Sequence, residues 1–205
     1  MDKLERRALP VKMEIRNDPA KPTVITGYAA VFNSYSEDLG FFREIIRPGT
    51  FQASIPRDDV RALWNHDPNY VLGRSKAGTL AMAEDDRGLL VEIRPPETQW
   101  ARDLLVSIAR GDVSQMSFGF EVLRDAWHTE NGQEVRELLE VKLYDVSPVT
   151  FPAYPATVVS ARSAQEIYDA RPQTASQAAG QSGEPAGGQV ACLRDRLRLY
   201  DGERR

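Results

Sequence analysis

Gly111-Asp112-Val113-Ser114-Gln115-Met116-Ser117-Phe118-Gly119-Phe120 joins two different hydrophobic periods. Upstream, Trp100, Leu104 and Ile108 recur every four residues, and Ala101 and Leu105 widen the stripe. That spacing predicts an amphipathic helix over residues 97–110, with Thr98 placed to cap its start and Gly111 to close its end. Downstream, Phe118, Phe120 and Val122 alternate with Gly119, Glu121 and Leu123, the period of a strand. Residues 135–146 form a second long strand candidate, and Asn131-Gly132 is a tight-turn signal. A hairpin with a longish tip is therefore expected over 117–146. Ser117, at the helix-to-strand junction, is the candidate for an attacking atom.

Working outward, Val11, Met13 and Ile15 alternate with Lys12, Glu14 and Arg16. This predicts a half-buried strand over 10–16, a turn over 17–22 and a second strand over 23–32. A polar loop, a short strand over 41–46 and a turn at Pro48-Gly49-Thr50-Phe51 follow, with Thr50 expected to cap a short helix. Residues 60–64 read as a strand ending at Asn65-His66-Asp67-Pro68, where Pro68 is expected to stop regular structure. Short strands over 70–74, 79–83 and 89–93, separated by turn signals, suit an antiparallel meander or barrel.

Beyond the hairpin, three prolines between Ser147 and Pro155 allow only broken or extended structure, and 156–169 reads as a last helix. Residues 171–189 are rich in Gln, Ala, Gly, Ser and Pro, a linker by composition. Leu193 and Leu197 among arginines then make residues 190–205 a short basic amphipathic tail on a flexible tether. One folded domain over 1–170 is expected, which agrees with the 205-residue length.

Composition excludes several function classes. With 41% hydrophobic residues the chain can build a core, while its mean hydropathy of −0.45 argues against an integral membrane protein. No apolar run approaches the roughly 20 residues that cross a bilayer. The charged segment 1–7 is followed by no apolar stretch, so no secretory signal is read. A net charge of −4 gives no general case for nucleic-acid binding. The single cysteine, Cys192, rules out an intrachain disulfide and suits a reducing cytoplasmic setting. Two histidines and one cysteine, without short ligand spacing, make a dedicated zinc site improbable. No phosphate-cradling glycine motif indicates a nucleotide cofactor. Any reaction is left to side chains alone.

A serine hydroxyl attacks only when a base takes its proton, and histidine is the side chain suited to that near neutrality. His128 falls at the expected hairpin tip, where exposure is expected, whereas His66 ends an apolar strand beside Asp67. His66 is the better-placed base, although a histidine there can equally cap a strand. Ser107 lies inside the predicted helix and Ser114 close enough to its end to serve a turn. Ser117 followed by Phe-Gly-Phe can also be a plain strand start in which Gly119 relieves crowding. A third group would hold the imidazole in one tautomer. Asp145, flanked by apolar residues, would be costly to bury without a donor such as an imidazole N–H. Glu140 is the other choice, and an odd separation puts the two on opposite faces unless a bulge intervenes.

Four segments, in order, resemble the prohead (capsid maturation) serine proteases of tailed bacteriophages. They are Gly27-Tyr28-Ala29-Ala30-Val31-Phe32-Asn33, Leu63-Trp64-Asn65-His66-Asp67, Gln115-Met116-Ser117-Phe118-Gly119-Phe120, and the run from Leu143-Tyr144-Asp145-Val146-Ser147-Pro148 to Tyr154. The resemblance implies a fold similar to the herpesvirus assembly proteases: mixed α/β, β-rich, mainly an antiparallel β-barrel core wrapped by helices. It implies an endopeptidase that works inside the immature prohead, in the bacterial host cytoplasm. Its protein substrates would be the scaffold or the scaffold-like arm of the major capsid protein, and commonly the protease itself. Carried over by position, His66 is the general base and Ser117 the nucleophile. The family's acid, usually glutamate, falls at Asp145, with Glu140 in reserve. Oxyanion donors would be backbone N–H groups that the sequence does not single out. No cofactor, metal, nucleic acid or membrane is expected, and homo-oligomerisation is left open. The competing expectation is a non-enzymatic β-rich module that binds scaffold or assists capsid assembly.

Overall fold

The computed structural model describes residues 4–10, 13–16, 22–151 and 165–172. Among them are ten strands: β1 (Glu5–Pro10), β2 (Glu14–Arg16), β3 (Val24–Val31), β4 (Phe42–Ile46), β5 (Arg61–Trp64), β6 (Asp67–Arg74), β7 (Leu80–Glu84), β8 (Gly88–Ile93), β9 (Gln115–Glu130) and β10 (Gln133–Val149). A four-residue helix, α1 (Ser54–Arg57), and a 12-residue helix, α2 (Gln99–Arg110), complete the main elements. The protein is β-rich mixed α/β. The linker over 171–189 and the tail over 190–205 lie outside the described residues, apart from Arg171 and Pro172.

The expected closed barrel is not formed. Six strands make one open sheet, ordered β1-β9-β10-β5-β6 with β4 also on β10, and β2-β3-β8-β7 make another. Neither sheet pairs its first strand with its last. The strands over 67–93 are not a continuous meander either, because β6 belongs to the first sheet and β7 to the second. The chain changes sheets through a single 3-10 turn at Ser75–Ala77 and Gly78, whose φ of 69° favours glycine. Nor do helices wrap the core: among the described residues α2 is the only helix longer than about one turn.

The β9–β10 hairpin organises the first sheet. Its tip is shorter than the sequence suggests, because Asn131 and Gly132 alone connect the strands, both at positive φ (51° and 79°). Along β9, Met116, Phe118 and Phe120 enter the buried core, leaving Gln115, Ser117 and Gly119 on the opposite face. Phe51, Phe118 and Phe120 form a chain of ring contacts, and Phe32 stacks on Phe51. Ile25, Leu89, Val91 and Ile93 of the second sheet join Leu104 and Ile108 of α2 in the same core. The helix therefore buries the stripe its spacing predicts. Gly111 closes it at φ 85°, whereas Thr98 stands at the N-cap position without a side-chain capping bond.

The second edge of β10 is completed in pieces. β4 pairs with Glu134–Leu138 and β5 with Asp145–Val146, both in parallel. Between them the ladder is replaced by side chains from the turn and helix over 47–58. Thr50 Oγ1 donates to Leu138 O at 2.8 Å, Arg57 Nη2 donates to Val141 O at 3.2 Å, and Ser54 Oγ donates to Asp58 Oδ2 at 2.6 Å. Leu143 N–H donates to Asp58 Oδ2 at 2.9 Å. Thr50 therefore gives its hydroxyl to a backbone carbonyl instead of capping α1, whose N-cap position is Ala53. These bonds satisfy backbone groups that no strand reaches.

Asp58 carries a testable share of that edge. Burial works to raise its pKa, but bonds from Arg57, Ser54 and Leu143 N–H outweigh it and hold the carboxyl below its usual 3.8. A depressed folded-state pKa stabilises the fold above the unfolded value and loses that contribution as pH falls through the folded one. Asp58→Asn is therefore expected to destabilise the protein by about 1–3 kcal/mol at neutral pH. Urea unfolding across a pH series should show this gap closing below pH 4. A gap independent of pH would contradict the assignment.

β1 was not legible as a strand. Its Glu5 and Arg7 meet Glu44 and Arg136 in a charge network: Arg7 Nε–Glu44 Oε1 is 2.7 Å, Arg136 Nη1–Glu5 Oε2 3.0 Å and Arg136 Nε–Asp125 Oδ2 2.7 Å. Burial opposes the charge on Arg7, yet the carboxylates of Glu44 and Glu5 raise its pKa overall. The strand expected over 10–16 is described only at β2, which pairs antiparallel with β3. Of the helix expected over 156–169, only residues 165–169 are described, and they are helical.

Candidate active site

His66 reaches the site from a two-residue turn. Trp64 pairs with Asp67, and Asn65 and His66 between them take φ of 54° and 57°, the paired positive values of a tight hairpin turn. Asparagine and histidine are both among the non-glycine residues that enter that region, at a cost the surroundings must offset. Asn65 supplies the hold. Its N–H donates to Pro148 O at 3.0 Å, its Oδ1 accepts from Thr150 N at 2.9 Å, and its Nδ2 donates to Thr150 Oγ1 at 3.3 Å. The hairpin tip is thus tied to the end of β10. Pro68 does not stop the structure, because β6 is an outer strand of its sheet and lacks a ladder on one side.

β9 and β10 bring in the other groups. Ser117 pairs with Ser147 and Gly119 with Asp145. A register shift between Leu143 and Asp145 makes two residues of β10 oppose one of β9, so Leu143 and Val146 both enter the core while Asp145 turns to the face of Ser117. That bulge is what sequence parity alone could not locate.

The three candidates are joined by hydrogen bonds. His66 Nδ1 lies 2.5 Å from Asp145 Oδ1 and His66 Nε2 2.7 Å from Ser117 Oγ. A carboxylate only accepts, so Nδ1 carries the proton and donates it to Asp145. The bare Nε2 then accepts from the Ser117 hydroxyl. Ser117 is 0% exposed, and the side chains of His66 and Asp145 are 10% and 9% exposed. Geometry of this kind can move the serine proton to the imidazole and steady the cation that results.

The remaining candidates lie elsewhere. Glu140 sits 3.6 Å from Arg57 Nη1. His128, on β9, lies 3.7 Å from Glu137 and is 42% exposed. Ser107 Oγ donates to Asp103 O within α2, and Ser114 is exposed. No grouping of three or more His, Cys, Asp or Glu suited to a metal occurs among the described residues.

Two residues of the site have no chemistry of their own to draw attention in a sequence. Ser147 Oγ donates to Asp145 Oδ1 at 2.8 Å. Gly119 leaves the space that the carboxylate fills, since a Cβ built there would stand 2.4 Å from Asp145 Oδ2 and 3.3 Å from its Cγ. Their signal was the period of two: Gly119 is two residues from Ser117, and Ser147 two from Asp145. Gly119→Ala is expected to push the carboxylate off His66 and cost about 10²-fold in turnover, the effect of an ångström-scale misplacement. Steady-state kinetics beside a circular dichroism spectrum check this. A folded, fully active variant would show that the close approach is dispensable.

Comparison with known proteins adds an independent line. The sequence description of the caudovirus prohead serine proteases matches residues 11–170. The prohead protease of Enterobacteria phage HK97 is 32% identical over 136 residues, which cover 65% of this chain and 57% of that protein. The match thus spans little more than half of that relative's length. The structure of the bacteriophage T4 capsid assembly protease superposes with a TM-score of 0.50 at 12% identity, over 71% of this chain and 96% of that one, a likeness of fold. With the family match extending across most of its length, this chain belongs to the caudovirus prohead serine protease family.

Proposed function

We propose that the chain is a serine endopeptidase acting in capsid maturation, with Ser117 as nucleophile, His66 as general base and Asp145 as the orienting acid. The observation that carries this reading is the continuous pair of hydrogen bonds from Ser117 Oγ through His66 to Asp145. In the proposed reaction Ser117 Oγ attacks a peptide carbonyl while His66 Nε2 takes its proton. His66 then passes that proton to the leaving amine, and water, deprotonated by the same imidazole, releases the acyl group. Asp145 keeps Nδ1 protonated and offsets the positive charge on the ring.

The proposed substrates are scaffold, or a scaffold-like arm of the major capsid protein, and the protease itself. The proposed location is the prohead interior within the host cytoplasm. No helix among the described residues is long and apolar enough to cross a membrane. We assign the protease domain to residues 1–170, a linker to 171–189 and a basic tail to 190–205, a division supported by the family match over 11–170. Co-expression of the full chain with the capsid and scaffold proteins of its own phage tests the function. Mass spectrometry should find them truncated at discrete sites. Intact proteins that nevertheless co-purify with the chain would favour a non-enzymatic assembly module.

A further inference from the structure

We propose that Ser147 is a positioning residue of this site, fixing the Asp145 carboxylate in the orientation that His66 requires. The proposal rests on the triad reading above. Ser147 is 0% exposed and stands directly across the β9–β10 ladder from Ser117. Its hydroxyl does not join the serine opposite. It donates instead to Asp145 Oδ1, the same oxygen that accepts from His66 Nδ1.

Two donors on one oxygen set the plane of the carboxylate. Oδ1 has two lone pairs, and the hydroxyl and the imidazole N–H take both. Oδ2 points into the hollow above Gly119, where a Cβ would be 2.4 Å away. Rotating the carboxylate would give up both bonds at once. An aspartate needs such a hold because it sits beside a bulge, where the ladder constrains the backbone least. Ser147 and Asp145 are two residues apart on one strand, so they share a face and the bond forms without further folding.

A serine that merely satisfies its own buried hydroxyl would also bond to a nearby acceptor. The two roles differ in what removal does. Loss of a satisfied buried hydroxyl changes stability alone, whereas loss of a positioning donor frees the carboxylate and weakens its grip on the imidazole. The test therefore reads the reactivity of Ser117 and the hydrogen bond of His66, not stability.

The experiment uses the full chain as wild type, Ser147→Ala and Ser117→Ala, with a fluorophosphonate as probe. Ser117 Oγ attacks phosphorus, fluoride leaves, and His66 takes the hydroxyl proton. The maximal labelling rate of Ser147→Ala should fall about 10- to 100-fold, the worth of one hydrogen bond to a charged group, with the half-saturating probe concentration unchanged. The far-downfield proton resonance of His66 Nδ1–H should broaden or vanish in the same variant. If Ser147→Ala does not fold, Ser147→Cys fills similar space with a much weaker donor and carries the same comparison. A wild-type labelling rate, or an unaltered resonance, would overturn the role of Ser147 while leaving the triad intact. Labelling that persists in Ser117→Ala would instead sink the triad reading, and this inference with it.

Discussion

Ser117→Ala is expected to lower peptide-bond cleavage by about 10⁶-fold, the scale of losing the nucleophile in a serine protease, while the fold survives. The substitution removes one buried oxygen from a residue whose neighbours Met116 and Phe118 hold the strand in the core. His66 Nε2 loses its donor, but Nδ1 keeps its bond to Asp145. A circular dichroism spectrum close to wild type beside absent cleavage is the expected pair of results. Ser114→Ala and Ser107→Ala serve as controls and should retain activity, since neither side chain contacts His66. Full cleavage by Ser117→Ala would remove the serine from the mechanism.

Asp145→Asn should cost about 10⁴-fold in kcat, with little change in KM. The amide can present its NH2 to His66 and stabilise the wrong tautomer, with the proton on Nε2, where it cannot accept from serine. Glu140→Gln should change activity by no more than about twofold, as for a partly exposed surface pair. Measured side by side, the two variants separate the acids that sequence parity left open. Equal and negligible losses would instead indicate a Ser117–His66 dyad.

Where local pattern sufficed, residues announced their own structure. The four-residue spacing of Trp100, Leu104 and Ile108 marked α2, and the alternation after Ser117 marked β9. Asn131-Gly132 marked the turn between β9 and β10. What the sequence concealed was decided by contacts made at a distance. β1 holds its charges because Glu44 and Arg136 meet them from β4 and β10, a pairing no local window contains. The barrel expectation failed because β10 is flanked by two short parallel strands and by side chains of α1, none of which alternation reports. At the site, His66 and Ser117 were legible from residue type and neighbours. Asp145 was a candidate beside Glu140, and the bulge is what turns it toward His66; Ser147 and Gly119 required the strand register.

The most direct test of the central claim, that His66 activates Ser117, is to map a fluorophosphonate adduct by mass spectrometry in the wild-type chain and in His66→Ala. A single adduct on Ser117 is expected in the wild type and almost none in the variant. An adduct on Ser114 or Ser107, or equal labelling of Ser117 in both proteins, would contradict it.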